Sequence, residues 1–207
     1  YNKDKVNISE LGGYIDLAKK KWNGKILVRS SSNVYNQSLV SAMLINYGER
    51  KVKLFLESFN RNLARKPSGG DRDQIRAIVS GQGDIALVNT YYFLKMKSQD
   101  SENKLKNIKE YFPNDKFMKT HINISGAGVI KNCKNKKNAI KFLEFLVSGE
   151  AQKVYAEVNF EYPIRKNIEL NDFMNKYNNF VRDDIDLTDL AKLNKKSIML
   201  MDVAGWQ

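Results

Sequence analysis

The sequence has very few of the side chains on which most metal sites and many enzymes depend. Its 207 residues include one cysteine, Cys133, and one histidine, His121. A single cysteine excludes an intramolecular disulfide bond and a cluster of thiolate metal ligands. A single histidine excludes histidine-rich zinc and copper sites and removes the commonest general base. Because a Gly-x-Ser-x-Gly motif is also absent, we expect that the protein is not an enzyme.

The sequence also lacks any run of eighteen apolar residues, so it predicts no stable insertion into a membrane. The chain opens on polar and charged residues, Tyr1 to Lys5, which do not resemble a signal peptide, although a mature or truncated chain would look the same. The hydrophobic content of 42% is enough for a core, and the length suits one large domain or two small ones.

The formal net charge of +12 usually suggests a polyanionic partner. The lysines are scattered, however, and the one dense run, residues 131–137, reads as a turn before a helix. Zinc-finger spacing, RNA-binding aromatic motifs and a basic leucine zipper are all absent from the sequence. We therefore expect that the partner is not a nucleic acid. A basic module that binds a surface or a nucleic acid is the alternative interpretation.

Two adjacent tyrosines, Tyr91 and Tyr92, are the most informative feature of the chain. They directly follow the apolar segment 83–90, which is predicted to be a buried strand. In open α/β sheets, ligands bind in the crevice outside the carboxyl ends of the strands. A phenolate is a hard anionic donor and suits a hard, highly charged cation such as ferric iron. The alternative is that the two rings are half-buried and stabilise a sheet edge.

A second strand leads to a similar position. Residues 25–29 are predicted to be a strand, residues 30–38 a polar loop, and the following segment a helix. Free backbone N–H groups at the start of that helix favour negative charge. Tyr35 lies in this loop, so we expect it at the same rim of the sheet as Tyr91 and Tyr92. An ordinary capped turn is the alternative interpretation of the loop.

The remaining pattern alternates between helices and strands. Helices are predicted over residues 9–22, 38–47, 52–59, 139–147, 150–158 and 187–204, with another that Asp71 caps and that ends at Gly81 and Gly83. A further strand is predicted over residues 121–130, where Gly126 and Gly128 indicate a hinge or a close backbone approach, or a fragment of a phosphate loop. This alternation predicts a largely parallel sheet with helices on both faces.

An ordered set of segments carries a family resemblance over nearly the whole chain. The segments are 29–38 (RSSSNVYNQS), 70–75 (GDRDQI), 81–92 (GQGDIALVNTYY), 123–129 (NISGAGV), 139–146 (AIKFLEFL), 161–163 (EYP) and 200–206 (LMDVAGW). In them the chain resembles the periplasmic ferric-iron-binding proteins of ABC transporters, most closely the cyanobacterial and marine-bacterial subgroup. The resemblance implies an α/β, class II periplasmic-binding-protein fold with two lobes.

The resemblance also implies how the chain is divided. Residues 1–120 would form the second lobe, residues 121–172 the hinge strand and the return into the first lobe, and residues 173–207 C-terminal helices packing back on the second lobe. Family members carry a further N-terminal segment that forms most of the first lobe and supplies another iron ligand, often a tyrosine or a histidine. We expect that this chain begins just after the first hinge strand.

The site residues follow from the same resemblance. The family's three ligand positions in the second lobe are occupied here by Tyr35, Tyr91 and Tyr92. Arg29 and Asn36 are candidates for supporting these ligands from their placement alone, and Lys95 stands where relatives often have an arginine. The implied cargo is Fe(III), the implied partner is a membrane permease, and the implied protein is a periplasmic monomer.

The chemistry of the phenols agrees with this reading. Tyrosine has a reference pKa near ~10, so ferric iron must displace phenol protons, which makes its affinity pH-dependent. Three phenolates balance the charge of ferric iron, which predicts ferric over ferrous selectivity and release by acidification or reduction. Lobe closure would complete the coordination. The alternatives are a same-fold binding protein for a small anion or an organic cation, and a stand-alone lobe with a regulatory or structural role.

Overall fold

The computed structural model describes residues 1–207, which form two compact units. The larger unit comprises residues 1–123 and 180–207, and the smaller unit comprises residues 124–179. The assignment of residues 1–120, 121–172 and 173–207 to the lobes of a two-lobed protein stays a prediction. No helix combines the length and the apolar character that a bilayer crossing requires.

The larger unit combines a small parallel sheet with α-helices. Its elements are β1 (Ile26–Leu27), α1 (Val34–Tyr47), α2 (Glu49–Arg61), α3 (Asp71–Val79), β2 (Ile85–Ala86), α4 (Thr90–Ser98) and α8 (Leu187–Val203). β1 and β2 are parallel, with Ile26 opposite Ile85, and Leu63 joins β1 through an isolated parallel bridge. The sheet is therefore parallel as predicted, but its strands are much shorter than the apolar runs in the sequence.

The core of this unit lies between the sheet and helices α1, α2 and α8. α2 buries Val52, Phe55, Leu56 and Phe59, whose spacing places them on one face of a helix. α8 packs along α1, where the buried hydroxyl groups of Ser41 and Ser197 lie 2.8 Å apart. These contacts fix the helix α1 against the end of the chain.

The C-terminal segment also reaches the end of β1. The indole ring of Trp206 is buried beside Phe59, with their ring centroids 5.0 Å apart. Its Nε1–H group donates a hydrogen bond of 2.9 Å to the backbone carbonyl of Arg29. Arg29, two residues after the end of β1, is thus held by a side chain from the far end of the sequence.

The structure differs from the predicted helix over residues 9–22. Three short 3₁₀ helices occupy this region, Ile8–Glu10, Tyr14–Ala18 and Lys20–Trp22. Gly12 and Gly13 separate the first two, and Gly13 has an extended backbone, with φ −70° and ψ 169°. Glycine disfavours helix interiors because it loses more conformational freedom than any other residue, so the two glycines interrupt the helix.

The predicted strand over residues 121–130 is also absent, and the nearest pairing is the bridge between Thr120 and Arg182. A strand requires a partner ladder, and no neighbouring segment supplies one beyond this bridge. A Cβ atom at Gly126 or Gly128 would meet no atom within 4 Å, so the expected close backbone approach is wrong at both glycines.

The smaller unit contains helices in two stretches, residues 136–159 and residues 172–175. It contains α5 (Lys136–Leu146), α6 (Gly149–Val154), a π-helical turn (Tyr155–Asn159) and α7 (Asp172–Asn175). The predicted helices over residues 139–147 and 150–158 correspond to α5 and to α6 with its π turn. α6 begins where the Ser148 hydroxyl group accepts a hydrogen bond from the Ala151 N–H group. None of the residues of α5 is buried.

Gly83 is the glycine at which a side chain would disturb the sheet most directly. An added Cβ atom would lie 2.9 Å from the carbonyl oxygen of Lys25, which accepts hydrogen bonds from the N–H groups of Asp84 and Ile85. We therefore expect Gly83→Ala to lower the free energy of unfolding by about 1–3 kcal/mol. Urea denaturation would measure the change, with Gly128→Ala as the control in open space. Equal stability of the two variants would contradict the close approach.

Candidate metal centre

Tyr35 lies in the first turn of α1. The helix begins at Val34 because the side-chain oxygen of Asn33 accepts a hydrogen bond of 3.1 Å from the Tyr35 N–H group. The polar loop is therefore shorter than the predicted range of residues 30–38. The phenol of Tyr35 extends from a capped helix start, so its backbone is fixed by the Asn33 cap.

Tyr91 and Tyr92 lie in the first turn of α4 and do not directly follow a strand. β2 ends at Ala86, and Asn89 is the N-cap of α4 with an extended backbone, φ −80° and ψ 142°. The predicted strand over residues 83–90 is therefore wrong in its length. The prediction that the two rings follow the carboxyl end of β2 holds, with residues 87–89 between strand and helix.

The two helix starts bring the three tyrosines together into what we call the phenol cluster, Tyr35, Tyr91 and Tyr92. The hydroxyl oxygens of Tyr35 and Tyr91 lie 3.3 Å apart. The rings of Tyr91 and Tyr92 have centroids 4.0 Å apart and an interplanar angle of 31°. All three side chains are half-buried. Tyr91 is the central member, because it contacts both of the others.

Burial and the neighbouring phenols raise the pKa of Tyr91 well above its usual value. Burial has the larger effect, because it disfavours the charged phenolate, and the hydrogen bonds with Tyr35 and Tyr92 add to it. A phenol with a raised pKa stays neutral at neutral pH. A cation that binds this cluster must therefore supply enough charge to displace the proton.

Two arginines place positive charge beside the cluster. Burial opposes the charge of Arg29, but its hydrogen bond and ion pair with Asp71, together with the nearby phenol of Tyr92, outweigh this and raise its pKa. Its guanidinium group is therefore cationic. Arg72 lies over the ring of Tyr92, with its guanidinium carbon 5.5 Å from the ring centroid. Arg72 was not among the residues predicted from the sequence.

Asp71 is a further residue that the sequence pattern did not indicate as part of the site. It was predicted to cap α3, but the N-cap is Gly70, whose N–H group donates to the carboxylate of Asp73. Asp71 is instead buried and pairs with Arg29, with 2.9 Å between Oδ1 and Nη1. The two residues are 42 positions apart, so no local spacing could have revealed the pair.

The other two candidates predicted from the sequence are Asn36 and Lys95. The side-chain amide of Asn36 is buried and donates hydrogen bonds of 3.1 Å to the backbone carbonyls of Arg29 and Ser30, so it closes the turn between β1 and α1. Lys95 lies half-buried in α4, and neither a hydrogen bond nor an ion pair joins its ammonium group to the phenols. A role for Asn36 or Lys95 in binding stays a prediction.

Comparison with known proteins adds independent findings. The chain is 40% identical to iron uptake protein A1 of Synechocystis sp. over 210 residues, which cover 100% of this chain and 58% of the relative. Iron uptake protein A2 of the same organism is also 40% identical, over 212 residues that cover 100% of this chain and 61% of the relative. The chain thus spans about three fifths of the length of these relatives.

Solved structures of other proteins also match this chain over its whole length. The Trichodesmium IdiA (FutA) protein in complex with iron and citrate matches with a TM-score of 0.92 and 44% identity, covering 100% of this chain and 66% of that one. The ferric binding protein from Campylobacter jejuni matches with a TM-score of 0.93 and 34% identity, covering 100% of this chain and 67% of that one. These likenesses confirm the predicted α/β, class II binding-protein fold. Residues 1–187 also match the family profile, so the chain belongs to the bacterial extracellular solute-binding proteins.

Proposed function

We propose that this chain belongs to the substrate-binding component of an ABC iron importer and holds ferric iron through the phenolates of Tyr35, Tyr91 and Tyr92. The observation that carries the proposal is the convergence of three phenols from two separate helix starts, with the hydroxyl oxygens of Tyr35 and Tyr91 3.3 Å apart. Relatives named as iron uptake and ferric iron-binding proteins support the choice of cargo. The component would act in the periplasm as a monomeric binding protein and would deliver iron to a membrane permease.

The spacing of the phenols suits a small, hard cation. In an octahedral site with bonds of about 2.1 Å, adjacent oxygen ligands lie about 3 Å apart. The distance of 3.3 Å between the oxygens of Tyr35 and Tyr91 is close to this value before any cation draws them together. Three phenolates carry the charge that neutralises ferric iron, whereas ferrous iron would leave the site negative. The cluster therefore favours the ferric state.

A visible absorption titration with ferric nitrilotriacetate tests the proposal. We expect a tyrosinate-to-iron charge-transfer band that saturates at one iron per chain, because the phenolates are direct ligands. Ferrous iron under anaerobic conditions is the matched control and should give no such band. If ferric iron gives no band with the chain either, the phenolate assignment is wrong.

Affinity for ferric iron should rise with pH. Each phenol that releases a proton on binding raises the apparent association constant roughly tenfold per pH unit below its own pKa. Because the reference pKa of tyrosine is near ~10 and that of Tyr91 is raised further, this dependence extends through neutral pH. Competition titrations against the same chelator at several pH values between 5.5 and 8, corrected for the chelator's own protonation, would measure it. A flat profile would contradict proton displacement from phenols.

A second candidate function is the binding of a small anion in the same place. The guanidinium groups of Arg29 and Arg72 beside Tyr92 favour an anion over an organic cation. Thermal stabilisation of the metal-free chain by phosphate, with no stabilisation by a polyamine and no ferric band, would support this function. A ferric band in the absence of phosphate would favour iron.

A further inference from the structure

We propose that Asp71 is a positioning residue for the phenol cluster. Its buried carboxylate holds the guanidinium group of Arg29 beside Tyr92 and also holds the start of α4, which carries Tyr91 and Tyr92. The inference rests on the proposed function. It adds Asp71, which forms no hydrogen bond with any of the three phenols. Three observations carry it, one for the carboxylate and one for each segment that it holds.

The carboxylate of Asp71 is divided between two segments. Oδ1 accepts a hydrogen bond of 2.9 Å from Nη1 of Arg29, two residues after the end of β1. Oδ2 accepts two hydrogen bonds from Asn89, one of 2.7 Å from its backbone N–H group and one of 3.0 Å from its side-chain amide. The side chain of Asp71 is 1% exposed, so water cannot replace these donors. One buried charge therefore ties the segment between β1 and α1 to the start of α4.

Arg29 is held on its main chain as well as on its side chain. Its backbone carbonyl accepts hydrogen bonds from Trp206 Nε1 and from the side-chain amide of Asn36. With the backbone fixed, the ion pair with Asp71 decides where the guanidinium group lies. The phenol of Tyr92 is near enough to raise the pKa of that group, so Asp71 determines the position of a positive charge near a proposed ligand.

Asn89 is used in an unusual way for an N-cap. N-cap side chains normally accept a hydrogen bond from the first turn of their helix, but the side chain of Asn89 makes no such bond in α4. Its amide donates to Asp71, and its Oδ1 atom accepts a hydrogen bond of 3.0 Å from Asn123. The start of α4 is therefore oriented by Asp71 and not by its own cap. Loss of the carboxylate would leave the first turn, with Tyr91 and Tyr92, free to shift.

The variant Asp71→Asn separates the two contacts. An asparagine retains the size of the side chain and one oxygen, which can still accept from Asn89, but its NH₂ group then faces Arg29 and cannot pair with it. We expect ferric affinity to fall roughly 10- to 100-fold, the range found when residues supporting a metal ligand are removed. We also expect a shift of the charge-transfer maximum, which a role in folding alone would not produce.

The experiment uses the full chain, ferric nitrilotriacetate, the visible band, and thermal unfolding of the metal-free protein. Asp73→Asn is the matched control, because Asp73 lies in the same helix and pairs with Arg76 and the Gly70 N–H group, away from the phenols. Arg29→Gln is the second variant, and it leaves the contact between Asp71 and Asn89 in place. If Asp71 acts through Arg29, the double variant should bind no more weakly than Asp71→Asn.

The outcomes are distinguishable. An unchanged affinity and band in folded Asp71→Asn, or losses that multiply in the double variant, would overturn the positioning role alone. If Asp71→Asn does not fold, the variants Arg29→Gln and Asn89→Ala provide the test instead. Unchanged ferric affinity in both of them would overturn the proposal. The absence of a band in the parent chain would overturn the proposed function and this inference with it.

Discussion

Replacement of Tyr91 with phenylalanine is expected to weaken ferric binding roughly 100- to 5,000-fold, because removing one member of a buried charge pair costs about 3–5 kcal/mol. Tyr91 is the central member of the phenol cluster, in contact with both Tyr35 and Tyr92. Its phenolate would therefore be lost from the middle of the ligand set. Visible absorption titration would show a weaker band and a higher iron concentration at half-saturation. Tyr92→Phe should behave in the same way.

Tyr91→Phe should have little effect on the free energy of unfolding of the metal-free protein. The hydrogen bond that is lost is long, at 3.3 Å, and a typical hydrogen bond contributes about 1 kcal/mol or less to stability when one partner is half-exposed. Tyr111→Phe is the matched control, since its phenol donates to the backbone carbonyl of Leu11 and not to another tyrosine. If Tyr91→Phe bound iron as tightly as Tyr111→Phe, Tyr91 would not be a ligand.

Phe59→Ala is expected to lower the free energy of unfolding by about 3–5 kcal/mol, the usual result of emptying a fully buried aromatic position. Phe59 is 0% exposed and packs between the rings of Phe55 and Trp206, at centroid distances of 5.2 and 5.0 Å. Its loss leaves a cavity that the surrounding helices cannot close without moving Trp206. Urea denaturation followed by far-UV circular dichroism would measure the change.

Leu54→Ala provides the control for this prediction. Leu54 lies in the same helix as Phe59, but it is 57% exposed, so its truncation should alter stability by less than about 0.5 kcal/mol. Both variants place an alanine in the same helix, and the two original side chains differ chiefly in burial. Similar losses in both would mean that the face of α2 assigned to the core is wrong.

Helices with a strong apolar periodicity were predicted well. Residues 187–204 correspond to α8 (Leu187–Val203), and residues 52–59 lie within α2 (Glu49–Arg61). Strands were predicted poorly, because an apolar run shows that a segment is buried but not how much of it finds a partner strand. β1 and β2 each extend over two residues, although the apolar runs around them are longer. The sheet was therefore overestimated, and among the helices the one predicted over residues 9–22 was overestimated as well, because Gly12 and Gly13 interrupt it.

The candidate site could also be predicted only in part from the sequence. The three tyrosines could be proposed from the sequence because two of them are adjacent and the third follows another apolar run, and the family resemblance named the set. Arg29 could be proposed as a supporting residue from its placement, but its partner Asp71 could not, since the pair depends on tertiary structure. Asp71 and Asp73 lie in the same short motif, and only burial distinguishes the residue that holds Arg29 from the one that accepts a hydrogen bond from the Gly70 N–H group at the start of α3.

The hydrogen bond between Trp206 and Arg29 also has a consequence for the order of synthesis. The two residues are 177 positions apart, and a ribosome adds about 5–20 residues per second, so the carbonyl of Arg29 waits roughly 10–35 s for its indole partner. During this interval the faces of α1 and α2 that α8 and Trp206 later cover have no partner in the chain. The core of the larger unit therefore cannot be completed before residues 187–206 are present, and a chain interrupted before them is expected to keep these faces of α1 and α2 exposed.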